Sequence, residues 1–121
     1  MKIKGLDHIQ FIVKDLDESV DFFTKLGFEL DKRTPHHGGS AELRISSGGT
    51  VFEIHATDPS ENPGHDHFAI LVDDIESAIK ELRNKGIKID DPNYVPVTGR
   101  MIANFRDPSG FRWQLVGCKK D

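Results

Sequence analysis

The chain has 121 residues, 30% of them charged and 36% hydrophobic, with a formal net charge of −4. That length suits a single domain, residues 1–121, able to bury its own core, and an acidic balance excludes the electrostatics that nucleic-acid binding requires. No apolar run is long enough for a membrane span, and Met1-Lys2-Ile3-Lys4 leads straight into a folded pattern, so a cytoplasmic protein without membrane contact is expected.

In chain order, Ile9, Phe11 and Val13 alternate with His8, Gln10 and Ile12, a period of two that marks a strand with two different faces. Asp15 then stands as a helix N-cap with Glu18 three residues on. Leu16, Val20, Phe23 and Leu26 form an apolar stripe at helical spacing, and Gly27 is the stop. Three strands follow, at about 28–33, 41–46 and 50–56. Pro35-His36-His37-Gly38-Gly39 reads as a loop whose histidines form a mobile rim, and Asp58 to Gly64 reads as a linker. A fifth strand begins near Asp66, followed by a helix with Asp73 and Glu76 as its capping pair, Ile75, Ala78, Ile79 and Leu82 as its stripe, and Gly86 as its stop. Strands at about 87–90, 100–106 and 111–117 complete the chain, the last two joined by the turn Asp107-Pro108-Ser109-Gly110. Loops 34–40 and 91–99 are expected to shape any pocket. Cys118 has no partner for an internal disulfide and is given no role.

This order of elements occurs twice. Asp7 to Asp17 lies over Asp66 to Glu76 with His8 on His67, an offset of 59 that also carries Gly27 onto Gly86. Gly49 to Ile54 lies over Gly110 to Leu115 at an offset of 61, after a two-residue insertion. The internal repeat, 1–57 and 64–118, therefore predicts an α+β fold of two βαβββ modules, each a helix packed on a curved sheet whose other face lines a cavity. Phe52, Ile54, Trp113 and Leu115 belong on the helix side. Val51, Glu53, His55, Arg112, Gln114 and Val116 then point to the cavity.

Four chemistry-bearing residues fall at matching places of the two copies: His8 and His67 on the first strands, Glu53 and Gln114 on the last. One such histidine is ordinarily a turn-capping residue. Two at repeat-equivalent positions, each with an oxygen-bearing partner, point instead to a divalent metal held by His8, Glu53 and His67, with the Gln114 amide oxygen as a fourth ligand. His55, two residues beyond Glu53 on the same face, is a candidate acid-base or supporting group. His65 stands between a supporting role and a solvated one.

The βαβββ repeat, the D-H-x-x-x-x-V-x-D start of both copies and the D-P-S-G-F-x-W-Q-L ending resemble the vicinal oxygen chelate superfamily, which includes glyoxalase I, methylmalonyl-CoA epimerase, bleomycin and fosfomycin resistance proteins and extradiol dioxygenases. The resemblance covers nearly the whole chain. It implies one divalent ion (nickel, cobalt, zinc, manganese or iron) on His8, Glu53 and His67, matching three ligands of bacterial glyoxalase I, while Gln114 replaces a glutamate. Glu53 would then be the ligand carboxylate left to move a proton, with His55 beside it. The implied function is a metal-dependent lyase or isomerase acting on a small oxygenated anion by proton transfer. Arg44, Arg100 and Arg112, on the cavity-facing sides of their strands, are candidate contacts for that anion. Two alternatives stay open: an Fe(II)-dependent dioxygenase, and a metal-free drug-binding resistance protein. Family habit implies a homodimer, in which His8 and Glu53 of one chain meet His67 and Gln114 of the other.

Overall fold

A computed structural model describes residues 1–45, 49–58 and 61–117, without the His37 side chain, so Cys118 and the last position of the strand expected at 41–46 lie outside the described residues. The chain divides into two compact units, one of residues 8–66 and one of residues 1–7 with 67–121. β1 (Ile3–Val13) contributes to both.

The first unit adds α1 (Leu16–Leu26), β2 (Glu29–Thr34), a single 3₁₀ turn at His36–Gly38, β3 (Ser40–Arg44) and β4 (Val51–Ala56). Its strand order is β2-β3-β4-β1, with β1 parallel to β4 and the other pairs antiparallel. The Asp15 carboxylate accepts the Glu18 backbone N–H at 2.9 Å, the expected N-cap. Gly27, at φ 118°, closes the helix, with Phe28 N–H donating to the Phe23 carbonyl at 2.9 Å and Gly27 N–H to Thr24 at 3.1 Å. Leu16, Val20 and Phe23 pack on buried Leu43, Phe52 and Ile54, and the Phe23 and Phe52 rings meet edge to face at 4.9 Å. Leu26 does not join them. It is 62% exposed, because the stripe turns away from the sheet in the last helical turn.

The second unit holds β5 (Gly64–Val72) from His67 onward, α2 (Ile75–Asn84), β6 (Asn93–Val95), β7 (Arg100–Arg106) and β8 (Arg112–Gly117). Its order is β5-β8-β7-β6, again with one parallel pair, β5 with β8. The expected helix stripe is buried in full: Ile75, Ala78, Ile79 and Leu82 pack against Val72, Ala103 and Leu115. Gly86, at φ 86°, ends α2 as Gly27 ends α1, with Ile87 N–H donating to Leu82 at 3.0 Å and Gly86 N–H to Arg83 at 3.0 Å.

Two expectations need correction here. The N-cap of α2 is Asp74, whose carboxylate accepts Ser77 N–H at 3.2 Å, and not Asp73. Asp73 is held elsewhere, accepting Lys2 N–H at 3.3 Å and Asp74 N–H at 2.9 Å. The strand expected at 87–90 is reduced to one bridge, Ile89 with Phe105, and the edge strand is β6, inside the stretch expected to be loop. Asp90-Asp91-Pro92 separates the two, since Pro92 has no N–H to offer a ladder.

The α+β architecture of two βαβββ modules is as expected. Gln10 stands opposite Glu53 on β1 and β4, and Ala69 opposite Gln114 on β5 and β8, so the offsets of 59 and 61 hold in the strand register itself.

Candidate metal centre

In the first unit the parallel pair β1–β4 places His8 and Glu53 on the same face, turned away from α1. His8 Nε2 lies 4.0 Å from Glu53 Oε2, and both residues are buried, at 2% and 3% exposure. Two donors each ~2.1 Å from a shared ion can stand no more than ~4.2 Å apart, so the pair fits as two ligands of one divalent cation. Among the described residues no group of three or more histidine, cysteine, aspartate or glutamate side chains is gathered in a metal-holding cluster.

The surroundings of Glu53 favour a cation. On β3, Glu42 is its direct cross-strand neighbour, equally buried, and two carboxylates opposite each other repel unless a positive charge is near. Lys32 on β2 reaches Glu42 Oε2 at 3.5 Å from the outer edge. His55 lies further along β4, 2% exposed, with Nδ1 at 2.7 Å from the Gln10 amide nitrogen and Nε2 at 3.1 Å from Glu61 Oε2. The Gln10 amide nitrogen can only donate, so Nδ1 accepts and Nε2–H donates to Glu61, which selects one tautomer.

Gln10 and Glu61 were not singled out in the sequence as site residues. Gln10 shares the face of His8 and Glu53, and the same alternation that places Glu42 and Arg44 on the polar side of their strand would have found it. Glu61 sits in the linker, where no periodicity operates.

In the second unit His67 and Gln114 repeat the relationship on β5 and β8, both buried. The three candidate arginines are held by their own neighbours. Arg44 donates to Gly49 O at 2.6 Å and to Asp31 Oδ2 at 3.3 Å, and Arg100 donates to Asp7 Oδ2 at 2.8 Å. Arg112 reaches Asn104 Oδ1 at 3.3 Å and lines a groove. His36 closes the 3₁₀ turn, and the His65 ring stands edge-on to Phe11 at 5.8 Å. Trp113 packs on Phe68 at 5.2 Å, on the helix side as expected. No helix among the described residues is long and apolar enough to cross a membrane.

Residues 5–115 match the Glyoxalase/Bleomycin resistance protein/Dioxygenase superfamily, to which this chain belongs. Among its relatives, a Bacillus subtilis protein named "Uncharacterized protein YwkD" is 33% identical, with 95% of this chain and 98% of the relative covered. A Synechocystis protein named "Probable lactoylglutathione lyase" is 29% identical, with 94% and 97% covered. Among solved structures, methylmalonyl-CoA epimerase from Mycobacterium tuberculosis superposes with a TM-score of 0.84 over 98% of this chain and 90% of that one, at 22% identity, a likeness of fold.

Proposed function

We propose that this chain is a divalent-metal-dependent enzyme of the lyase or isomerase kind, acting on a small oxygenated anion by proton transfer. The observation that carries the reading is the buried pair His8 and Glu53, 4.0 Å apart, on strands whose counterparts carry His67 and Gln114. The ligand set would be His8, Glu53, His67 and Gln114. The relative named as a probable lactoylglutathione lyase supports the reaction class.

A bound divalent ion would supply Lewis-acid stabilisation of negative charge on substrate oxygens. The chain's own residues would do the rest. Glu53 is the ligand-set carboxylate able to take and return a proton, and Glu42 stands directly opposite it on β3. Gln10 and Glu61 hold His55 in one orientation, so His55 positions its neighbours or exchanges a proton with the Glu61 carboxylate.

The deciding experiment is elemental analysis of protein purified without added metal, beside a His8→Ala/His67→Ala double variant. One ion per site in the parent and none in the variant is expected. Equal occupancy in both would refute the ligand set. Iron with oxygen consumption would move the protein to the dioxygenases, and no metal in either sample would move it to the binding proteins.

A further inference from the structure

In the first unit one register row crosses all four strands. Gln10 on β1 stands opposite Glu53 on β4, Glu53 opposite Glu42 on β3, and Glu42 opposite Lys32 on β2. Across one face of the sheet the row reads amide, carboxylate, carboxylate, ammonium. Lys32 Nζ lies 3.5 Å from Glu42 Oε2, and it comes from a half-exposed residue to a buried one.

A bulge puts Lys32 on this face. Strict alternation would turn Leu30 and Lys32 to the same side of β2. Instead the register shifts between them: Leu30 pairs with Leu43, whose side chain lies in the helix-side core, and Lys32 pairs with Glu42 on the opposite face. Asp31 is the extra residue, and Arg44 of β3 donates to its Oδ2 at 3.3 Å. Arg33, next in the chain, returns to the helix side and donates to Asp17 of α1. Bulges re-aim single side chains beside functional sites, and here the side chain re-aimed is the ammonium that meets Glu42.

We propose that Lys32 is a positioning residue for the metal centre, holding the Glu42 carboxylate toward the outer strand so that the first unit offers the ion Glu53 and not both carboxylates. Residues directly opposite on neighbouring strands have Cβ atoms ~5 Å apart, so Glu42 is near enough to join Glu53 around one cation. Lys32 opposes that: β3 lies between β2 and β4, and the ammonium meets Glu42 from the side away from Glu53. A second carboxylate would bind a divalent ion more tightly and fill a position otherwise left to water or a substrate oxygen. Lys32 thereby keeps a coordination position open. The inference deepens the metalloenzyme reading and rests on it.

Zinc titration of the full chain, stripped of metal and read by competition with a chromophoric chelator, tests it. Lys32→Met should bind zinc about tenfold more tightly than the parent, and Lys32→Arg, which keeps the charge, about as the parent does. In a Glu42→Gln background Lys32→Met should change affinity less than about threefold, because Lys32 acts through the carboxylate. Its direct effect on the ion is small, since the half-exposed ammonium stands two strands, ~10 Å, from β4, about one Debye length. Circular dichroism melting checks that each variant is folded. Equal tightening in both backgrounds would show that Lys32 acts by charge alone and overturn the inference, as would unchanged or weaker binding in Lys32→Met. Both results leave the metal site standing, whereas a parent that binds none of zinc, nickel, cobalt, manganese or iron would sink the metalloenzyme reading and this inference with it.

Discussion

The amide nitrogen of Gln10 lies 2.7 Å from Nδ1 of His55, and the contact is buried on the same face as Glu53. Removing the donor deprives a buried ring nitrogen of its partner, which costs about 1–3 kcal/mol. Gln10→Ala should therefore lower the unfolding free energy by that amount in urea titration. The loss should shrink in a His55→Leu background, where no ring nitrogen remains to be satisfied, and equal losses in the two backgrounds would show that Gln10 acts through packing alone.

Glu53→Gln and Gln114→Ala separate the two halves of the proposed ligand set. Glu53→Gln should reduce turnover about 10²-fold or more, the range associated with loss of a general base, whereas Gln114→Ala should act chiefly on metal affinity. Steady-state kinetics beside metal analysis reads both. Unchanged turnover in Glu53→Gln would assign the proton to another group, with Glu42 and His55 the next to vary.

Asp107 supplies a pH-dependent prediction. The Trp113 indole hydrogen bond, helped by the backbone N–H groups of the turn, holds its carboxyl below the ordinary aspartate range. A carboxyl whose folded pKa is depressed binds fewer protons in the native state, so its contribution is present above the unfolded pKa and is lost as pH falls through the folded one. Thermal melting of Asp107→Ala should fall below the parent at neutral pH, and the gap should narrow under acid conditions below pH ~4. A constant gap would mean that the turn's geometry, not its charge, is what Asp107 supplies.

The two helices should differ in their tolerance of truncation. Leu82 is 7% exposed and packed in the core, so Leu82→Ala should cost about 2–5 kcal/mol. Leu26 is 62% exposed, and Leu26→Ala should change stability by less than about 0.5 kcal/mol. Chemical denaturation of both variants gives the comparison, and a large loss for Leu26→Ala would show that the last turn of α1 is covered in solution.

The sequence by itself determined the repeat, the strand faces and the helix stops, because each is written in a local period or a local cap. His8, Glu53, His67 and Gln114 were legible as one chemical set because offsets of 59 and 61 place them at matching points, and the strand register keeps those offsets. The offset of 59 also maps Asp15 onto Asp74, the N-cap that residue-type reading alone placed at Asp73. Tertiary structure decided what depends on a distant partner. Asp73 is held by Lys2, Arg100 is held by Asp7 at 93 positions' remove, and His55 takes Glu61 from a linker without periodicity. It also decided that Leu26 faces outward and that β6 forms beyond Pro92, since a stripe shows which side of a helix is apolar and not how far the sheet beneath it extends.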